Sequence, residues 1–328
     1  MRDPKLAEVA RLAGVSPGTV SNAFNKPGVV AADTLARVMT AVAELNYVPN
    51  GAARQLRVGT SRTVGLVLHD LTNPFFAALG EGAEEWAGLR GSSLLIATTN
   101  GSSDKQREYL ALFEEQRVQG VLLQPNEFSR ESLDKLRARG IPVVLLDPPP
   151  SDVHVPSVSG DDLAGGRLAA RHLLDIGRRR LLVVTGPEGE RAFDQRAQGA
   201  MEEIALVRGA SVTVVKGEAT IVAGRAVGAG IDVVDFDGVI AGNDVIALGV
   251  LQAFLERNIK VPSDIAVIGY DDIDVAGAAG VPLSTVRQSA RDMGRRAIEL
   301  LFEVIVVPEC ERQVVFTPHL VARQSTVG

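Results

Sequence analysis

Beyond residue 62 the chain alternates short, continuous apolar runs with longer segments of helical period. Residues 64–69, 94–98, 121–124 and 143–147 read as buried strands, with helices at 75–89, 104–117 and 129–139 between them. The pattern restarts after Val158, with apolar runs at 181–185, 212–216, 238–241 and 265–269. Strands that are apolar throughout are covered on both faces, as parallel strands with crossover helices are. Two such series predict two Rossmann-like parallel-sheet lobes, with a break near the proline-rich stretch 147–157. Ligands of open parallel sheets bind beyond the carboxyl ends of the strands. The candidate binding residues therefore follow the strands: Asp70, Asn73, Phe75, Gln124, Asp147, Arg191, Arg196, Asn243 and Asp271. Several have a second reading. Asn243 with Asp244 fits an N-cap, Asp271 with Asp272 fits a turn cap, and Phe75 with Phe76 fits core packing, as does Trp86.

The first fifty residues have a different period. Asp3 and Pro4 form a cap-then-proline helix start, and Leu6, Val9, Ala10 and Ala13 follow on one helical face. Gly14 is placed to stop that helix in a left-handed residue. Ser16 and Pro17 repeat the start signal for a second helix over about 17–24, with Val20 and Phe24 turned toward the first. Its other face carries Gly18, Ser21, Asn22 and Asn25. So tight a connection fits a helix-turn-helix, and it also fits a plain helical hairpin. Residues 14–18 match G-x-S-x-G as well, but a nucleophile elbow needs a buried strand before it, and here a helical segment precedes.

The segments "LAEVARLAGVSPGTVSNAFN" and "LARVMTAVAELNYVPNGAARQLR" resemble the head of the lactose/galactose repressor (LacI/GalR) family. The resemblance runs on through "NPFF", "RVQGVLL", "VIGYDD" and "VARQST" and covers essentially the whole chain. It implies a helix-turn-helix domain at 1–49 and a hinge helix and linker at 50–62. The core at 63–328 is then of the type I periplasmic-binding-protein kind. Its first lobe would be about 63–157 with 287–315, and its second about 158–286 with 316–328. Pro17, Gly18 and Asn22 fall where family members touch base edges. Ser16, Thr19, Ser21, Asn25, Thr34 and Tyr47 fall where they pack the head or contact phosphates. Asn50, Ala53, Arg54 and Leu56 fall on the hinge, with Leu56 at the position of a minor-groove wedge. Arg196, Asn243 and Asp271 match positions that bond effector. Three residues depart from the pattern. Asn22 stands where many members carry Arg, Ala31 where Ser or Thr often caps the third helix, and His69 where Pro is common.

Charge supports the division. The chain carries a net −6 overall. Residues 1–62 hold eight Lys/Arg against four Asp/Glu, hence +4, and the remainder holds 26 against 36, hence −10. A basic head on an acidic body suits DNA, because local positive charge releases phosphate counterions. One cysteine, Cys310, excludes an intramolecular disulfide framework. The N-terminus has no apolar signal region and no run is long enough to span a membrane, so a cytoplasmic, nucleoid-associated protein is expected. There is no phosphate-binding loop, since "GPEGERAFD" lacks the Lys and Ser/Thr. The four histidines are scattered without metal-ligand spacing, and no nucleophile–base pair assembles. No cofactor, metal or catalytic activity is therefore expected.

These features predict an effector-controlled transcription regulator, acting as a dimer on a near-palindromic operator. Family frequency favours a sugar-like effector, and a protein corepressor is a third option because one family member binds a phosphocarrier protein. No C-terminal leucine heptad is present, so a dimer rather than a tetramer is expected. Two rivals, a solute-binding protein and a sugar-active α/β enzyme, leave residues 1–57 unexplained. An aromatic content of 4% gives no stacking signature for a sugar or a purine.

Overall fold

The computed structural model describes residues 4–47, 61–126, 128–147, 154–310 and 312–328. The chain divides into two compact units, Met1–Ser61 and Arg62–Gly328.

The first unit is a three-helix head: α1 (Leu6–Ala13), α2 (Pro17–Asn25) and α3 (Ala32–Glu44). The first helix begins two residues later than the Asp3–Pro4 signal suggested. Its start is fixed by the Glu8 carboxylate, which accepts from the Lys5 backbone N–H at 3.0 Å and satisfies a donor that the first turn leaves orphaned. Gly14 closes it at φ +66°, in the left-handed region. Ser16 caps α2 as expected, its hydroxyl accepting from Thr19 N at 3.1 Å. Val9, Ala10, Val20, Ala23, Val38 and Ala41 fill the small core, with Tyr47 folded over it. Ala31 sits at the α3 N-cap without a side-chain hydrogen bond, so that helix lacks a cap worth ~1 kcal/mol.

The second unit holds two six-stranded sheets. The first takes β1 (Thr63–Leu68), β2 (Ser93–Thr98), β3 (Val121–Leu123), β4 (Val143–Leu145), β5 (Ser157–Gly160) and β11 (Gln313–Phe316), in the order β11-β5-β4-β3-β1-β2. Every pairing in it is parallel. The second takes β6 (Arg180–Thr185), β7 (Ser211–Lys216), β8 (Gly238–Ala241), β9 (Ala266–Asp271), β10 (Ser284–Arg287) and β12 (His319–Val321), in the order β12-β10-β9-β8-β6-β7. It is parallel except at its edge, where β12 runs antiparallel to β10.

The crossings between lobes lie later than the sequence boundaries. β5 is wholly in the first sheet, so the chain crosses after Gly160 rather than at 158. β10 ends the second sheet's share at Arg287, and β11 keeps Phe316 in the first sheet. The proline-rich stretch therefore falls in sequence between two strands of the first sheet, β4 and β5, and is not the break itself.

Helices α4 (Pro74–Leu89), α5 (Ser103–Glu115), α6 (Arg130–Ala138) and α12 (Ala290–Val306) belong to the first lobe. Helices α7 (Asp162–Asp175), α8 (Arg191–Ala205), α9 (Ile221–Gly230), α10 (Asp244–Glu256) and α11 (Asp274–Ala278) belong to the second. Helix pairs cross on facing glycines. Gly82 of α4 meets the Arg291 carbonyl of α12, and Gly294 of α12 meets the Leu79 carbonyl of α4. A Cβ at either site would strike backbone, which cannot rotate away. Gly294→Ala should therefore overpack this crossing, costing roughly 1–3 kcal/mol. Thermal unfolding of the core should shift downward by several degrees, and an unchanged midpoint would refute the close-crossing account.

Candidate functional site

A cavity of about 700 Å³ opens between the carboxyl ends of the two sheets. It is lined by eight of the nine sequence-derived candidates: Asp70, Asn73, Phe75, Gln124, Asp147, Arg196, Asn243 and Asp271. Arg191 is the exception. It is exposed at the start of α8, and Arg196, five residues on, points to a different side of the same helix. Its charge still acts on Asp147.

The centre of the cavity is built around Arg196. Its Nε donates to Asp162 Oδ1 at 2.8 Å and its Nη1 to the Gly242 carbonyl at 2.8 Å. The Asp271 carboxylate lies 3.7 Å from Nη1, and the guanidinium stacks 3.7 Å above the Tyr270 ring. Burial disfavours the charged guanidinium, but Asp162 and Asp271 outweigh that and raise its pKa. So fixed a fork presents its remaining N–H groups to a ligand in one geometry.

Asp271 ends β9 with φ +106°, a conformation unusual for a residue with a Cβ. Its Oδ2 accepts from Asn73 Nδ2 at 3.1 Å, a hydrogen bond between the two lobes. Asn73 also caps α4, its Oδ1 accepting from Phe75 N at 3.0 Å. Asn243 caps α10 in the same way, accepting from Ile246 N at 2.9 Å, while lining the cavity. The cap reading and the ligand reading of these residues are thus compatible, since the amide Nδ2 of Asn243 is left to give to a ligand. Phe75 is largely core, 8% exposed and edge-on to Phe76 at 5.3 Å. Asp70 binds its own turn, accepting from Thr72 N and from the Thr72 hydroxyl. Gln124 Oε1 accepts from His69 N at 3.1 Å.

Two groups escaped the sequence reading. Asp162 and Gln288 follow β5 and β10, short strands whose mixed sequences SVSG and STVR carry little apolar signal. Asp162 orients Arg196, and Gln288 Nε2 donates to Asp271 Oδ1 at 3.4 Å.

Carboxylates outnumber cations here. Asp70, Asp147, Asp162, Glu188, Glu190, Glu218 and Asp271 line the cavity against Arg196. Burial, then the neighbouring Asp162, pushes Asp147 up to about 7. Burial pushes Asp271 up to about 6, even though Arg196 opposes it.

In the head, Ser16, Pro17, Gly18 and Asn22 form an exposed strip along α2. Thr19 is tied to Ser16, hydroxyl to hydroxyl, at 2.9 Å. Asn25 is turned back on Ser21, its Nδ2 donating to the Ser21 carbonyl at 2.6 Å. Ser21 and Thr34 are half-buried, and the Thr34 hydroxyl accepts from Arg37 at 3.5 Å. Tyr47 is 8% exposed and tilts against Phe24 at 6.2 Å, a packing position. Asn50, Ala53, Arg54 and Leu56 lie outside the described residues. Among the described residues there is no cluster of metal-ligating side chains, and no helix is long and apolar enough to cross a membrane.

A helix-turn-helix head joined to a two-lobed binding core is the build of a ligand-responsive transcription regulator. Comparison with known proteins agrees. Residues 5–50 match the model of bacterial regulatory proteins of the lacI family, and residues 170–326 match a periplasmic binding protein-like domain. The chain is 35% identical over 329 residues to the HTH-type transcriptional repressor PurR of Vibrio cholerae, covering 98% of this chain and 97% of the relative. It is 34% identical to the ribose operon repressor of Escherichia coli, covering 98% and 99%. Among solved structures it is similar to the transcriptional regulator CelR in complex with cellobiose, at 31% identity and a TM-score of 0.71, covering 98% and 99%. The chain belongs to the lacI family of bacterial regulatory proteins.

The raised carboxyls generate a pH prediction. A carboxyl whose folded pKa lies above its unfolded value holds its proton longer when folded, so stability falls as pH rises between the two values. For Asp147 that window runs from the ordinary carboxyl value of 3.8 to about 7. Asp147→Asn should therefore stabilise the ligand-free protein by more than about 1 kcal/mol at pH 8 and by much less at pH 4. Urea melts at the two pH values check this, and an equal effect at both would contradict it.

Proposed function

We propose that this protein is a transcriptional repressor that binds a near-palindromic operator as a homodimer and is controlled by a neutral, polyhydroxylated effector held between its lobes. The observation that carries the effector reading is the carboxylate excess around Arg196. Even with Asp147 and Asp271 raised by burial and Glu188 paired to Lys216, acids outnumber the one guanidinium on the cavity wall, which disfavours phosphates and carboxylates, whereas sugar hydroxyls can donate to Asp147 and Asp271 and accept from Arg196 and Asn243. The relatives fit this chemistry, one named for a ribose operon and one solved with cellobiose. The protein acts in the cytoplasm on the nucleoid, without catalysis or metal. A protein corepressor would act at the core surface and leave the cleft to the small molecule.

On DNA, the α2 strip of Pro17, Gly18 and Asn22 reads base edges while Ser16 and Thr19 lie against phosphates. Asn50, Ala53, Arg54 and Leu56 join the head to the core and reach the minor groove at the operator centre. Asn22 can pair bidentately with adenine, where an arginine would favour guanine. The second copy covers apolar side chains now in solvent: Leu95 and Ile96 on edge strand β2, Ile221 and Val222 on α9, and Leu255 on α10. An unpaired edge strand carrying adjacent exposed Leu and Ile is otherwise an aggregation liability.

Three outcomes are expected. Genomic fragments from the source organism, incubated with the purified protein and sequenced, should be enriched in one short near-palindrome. Recovery without enrichment, with or without cell extract, would contradict the regulator reading. Asn22→Arg should change the preferred base at one symmetric pair of positions, by roughly 1–3 kcal/mol of discrimination, and an unchanged site would remove that assignment. The double variant Ile96→Glu, Val222→Glu should sediment as a monomer where the parent sediments as a dimer, and a dimeric variant would place the interface elsewhere.

A further inference from the structure

The cavity is longer than one sugar. In the first sheet its lining begins at the end of β5, at Ser159 and Gly160, and ends beyond edge strand β2, at Asn100 and Gly101. Five adjacent strand ends are four strand spacings, ~19 Å. The second sheet matches this extent, contributing from Gln288 beyond β10 to Glu218 beyond edge strand β7. A pyranose with its hydroxyls spans roughly two such spacings. The groups gathered around Arg196 serve one ring, and they leave the β3-β1-β2 end of the cavity unused.

That end is built for polar contact. His69, Asn100, Gln124 and Asn126 line it from the first lobe, and Glu190 and Glu218 are cavity residues of the second. Asn126 is held in place from two sides. Its Oδ1 accepts from the Thr99 hydroxyl at 3.0 Å, and its backbone N–H donates to Gln106 Oε1 at 2.8 Å. Its Nδ2, however, is buried without any hydrogen-bond partner. A buried donor left unmade costs roughly 1–3 kcal/mol, and one that lines a ligand cavity is repaid when a ligand oxygen arrives. His69 is similarly fixed, with Nε2 3.1 Å from the Pro125 carbonyl and burial holding its pKa down. The imidazole also lies against the Asn126 side chain, so the two residues hold each other at the cavity wall.

We propose that this end of the cleft is a second saccharide subsite, so that the effector is a disaccharide or larger glycoside. Its second sugar accepts from Asn126 Nδ2 and donates to the Glu190 and Glu218 carboxylates. A hydroxyl satisfies an orphan donor and a neighbouring acceptor together, while the acids disfavour a phosphate or carboxylate substituent. The proposal rests on the neutral-polyol reading of the same cleft.

Calorimetric titration of the full-length protein tests it, with ribose, xylose, glucose and galactose set against xylobiose, cellobiose, maltose, lactose and sucrose. At least one disaccharide should bind tenfold or more tightly than either of its constituent sugars. Asn126→Ala and the near-isosteric Asn126→Asp should each abolish that advantage while leaving monosaccharide affinity within twofold, which also reports that the variants fold. Asp271→Asn should weaken both classes. A monosaccharide that binds as tightly as every disaccharide containing it would overturn the second subsite and leave the polyol reading standing. Equal weakening of both classes by the Asn126 variants would also overturn it. Failure of every saccharide to bind would remove the polyol reading and the subsite together.

Discussion

Asp271 is the residue on which the two lobes and the cleft depend. It closes β9 in a backbone conformation few side-chain-bearing residues adopt, and its carboxylate is shared among Arg196 and Gln288 within the site and Asn73 across it. Arg196 is positioned independently by Asp162, the Gly242 carbonyl and the Tyr270 face. The inter-lobe hydrogen bond is thus one contact that an incoming hydroxyl could replace, while the guanidinium stays where it is. The positive φ and raised carboxyl pKa at Asp271 mark it as a candidate ligand contact, because a ligand hydroxyl donating there would favour the ionised carboxylate.

Much of this was legible in the sequence because the strongest signals were local. Ser16 followed by Pro17 marks the start of α2, and Gly14 marks the end of α1, through cap chemistry confined to a few residues. The long apolar runs mark eight of the twelve strands, β1 to β4 and β6 to β9, and the rule that ligands sit beyond strand ends then picks out eight residues that line the cavity. What failed was non-local. β5, β10, β11 and β12 are three or four residues long, and their place is set by the chain crossing between lobes, not by their own hydrophobicity. Missing them hid Asp162 and Gln288 and misplaced the lobe boundaries. Arg191 was included because it follows a strand, yet helical phase turns it outward. The first helix starts not at Pro4 but at Leu6, where Glu8 accepts from the backbone N–H of the N-cap Lys5, three residues before it.

The same glycine device recurs in both lobes. Gly82 with Gly294 in the first lobe, and Gly166 with Gly199 in the second, bring flanking helices into backbone contact. Each lobe thus has a helix pair in backbone contact, and the two lobes are joined by three chain connections and the polar contacts of the cleft. A ligand that prefers one inter-lobe angle can then shift the protein between two states, provided its affinity differs between them.

The central claim is that the cleft and the DNA-reading head are thermodynamically coupled. The direct measurement is effector affinity, titrated by calorimetry on the free protein and on the protein saturated with its captured operator. The account predicts affinities differing by about 5–150-fold, matched by an equal factor in operator affinity with and without effector. Equal effector affinities in the two titrations would contradict it.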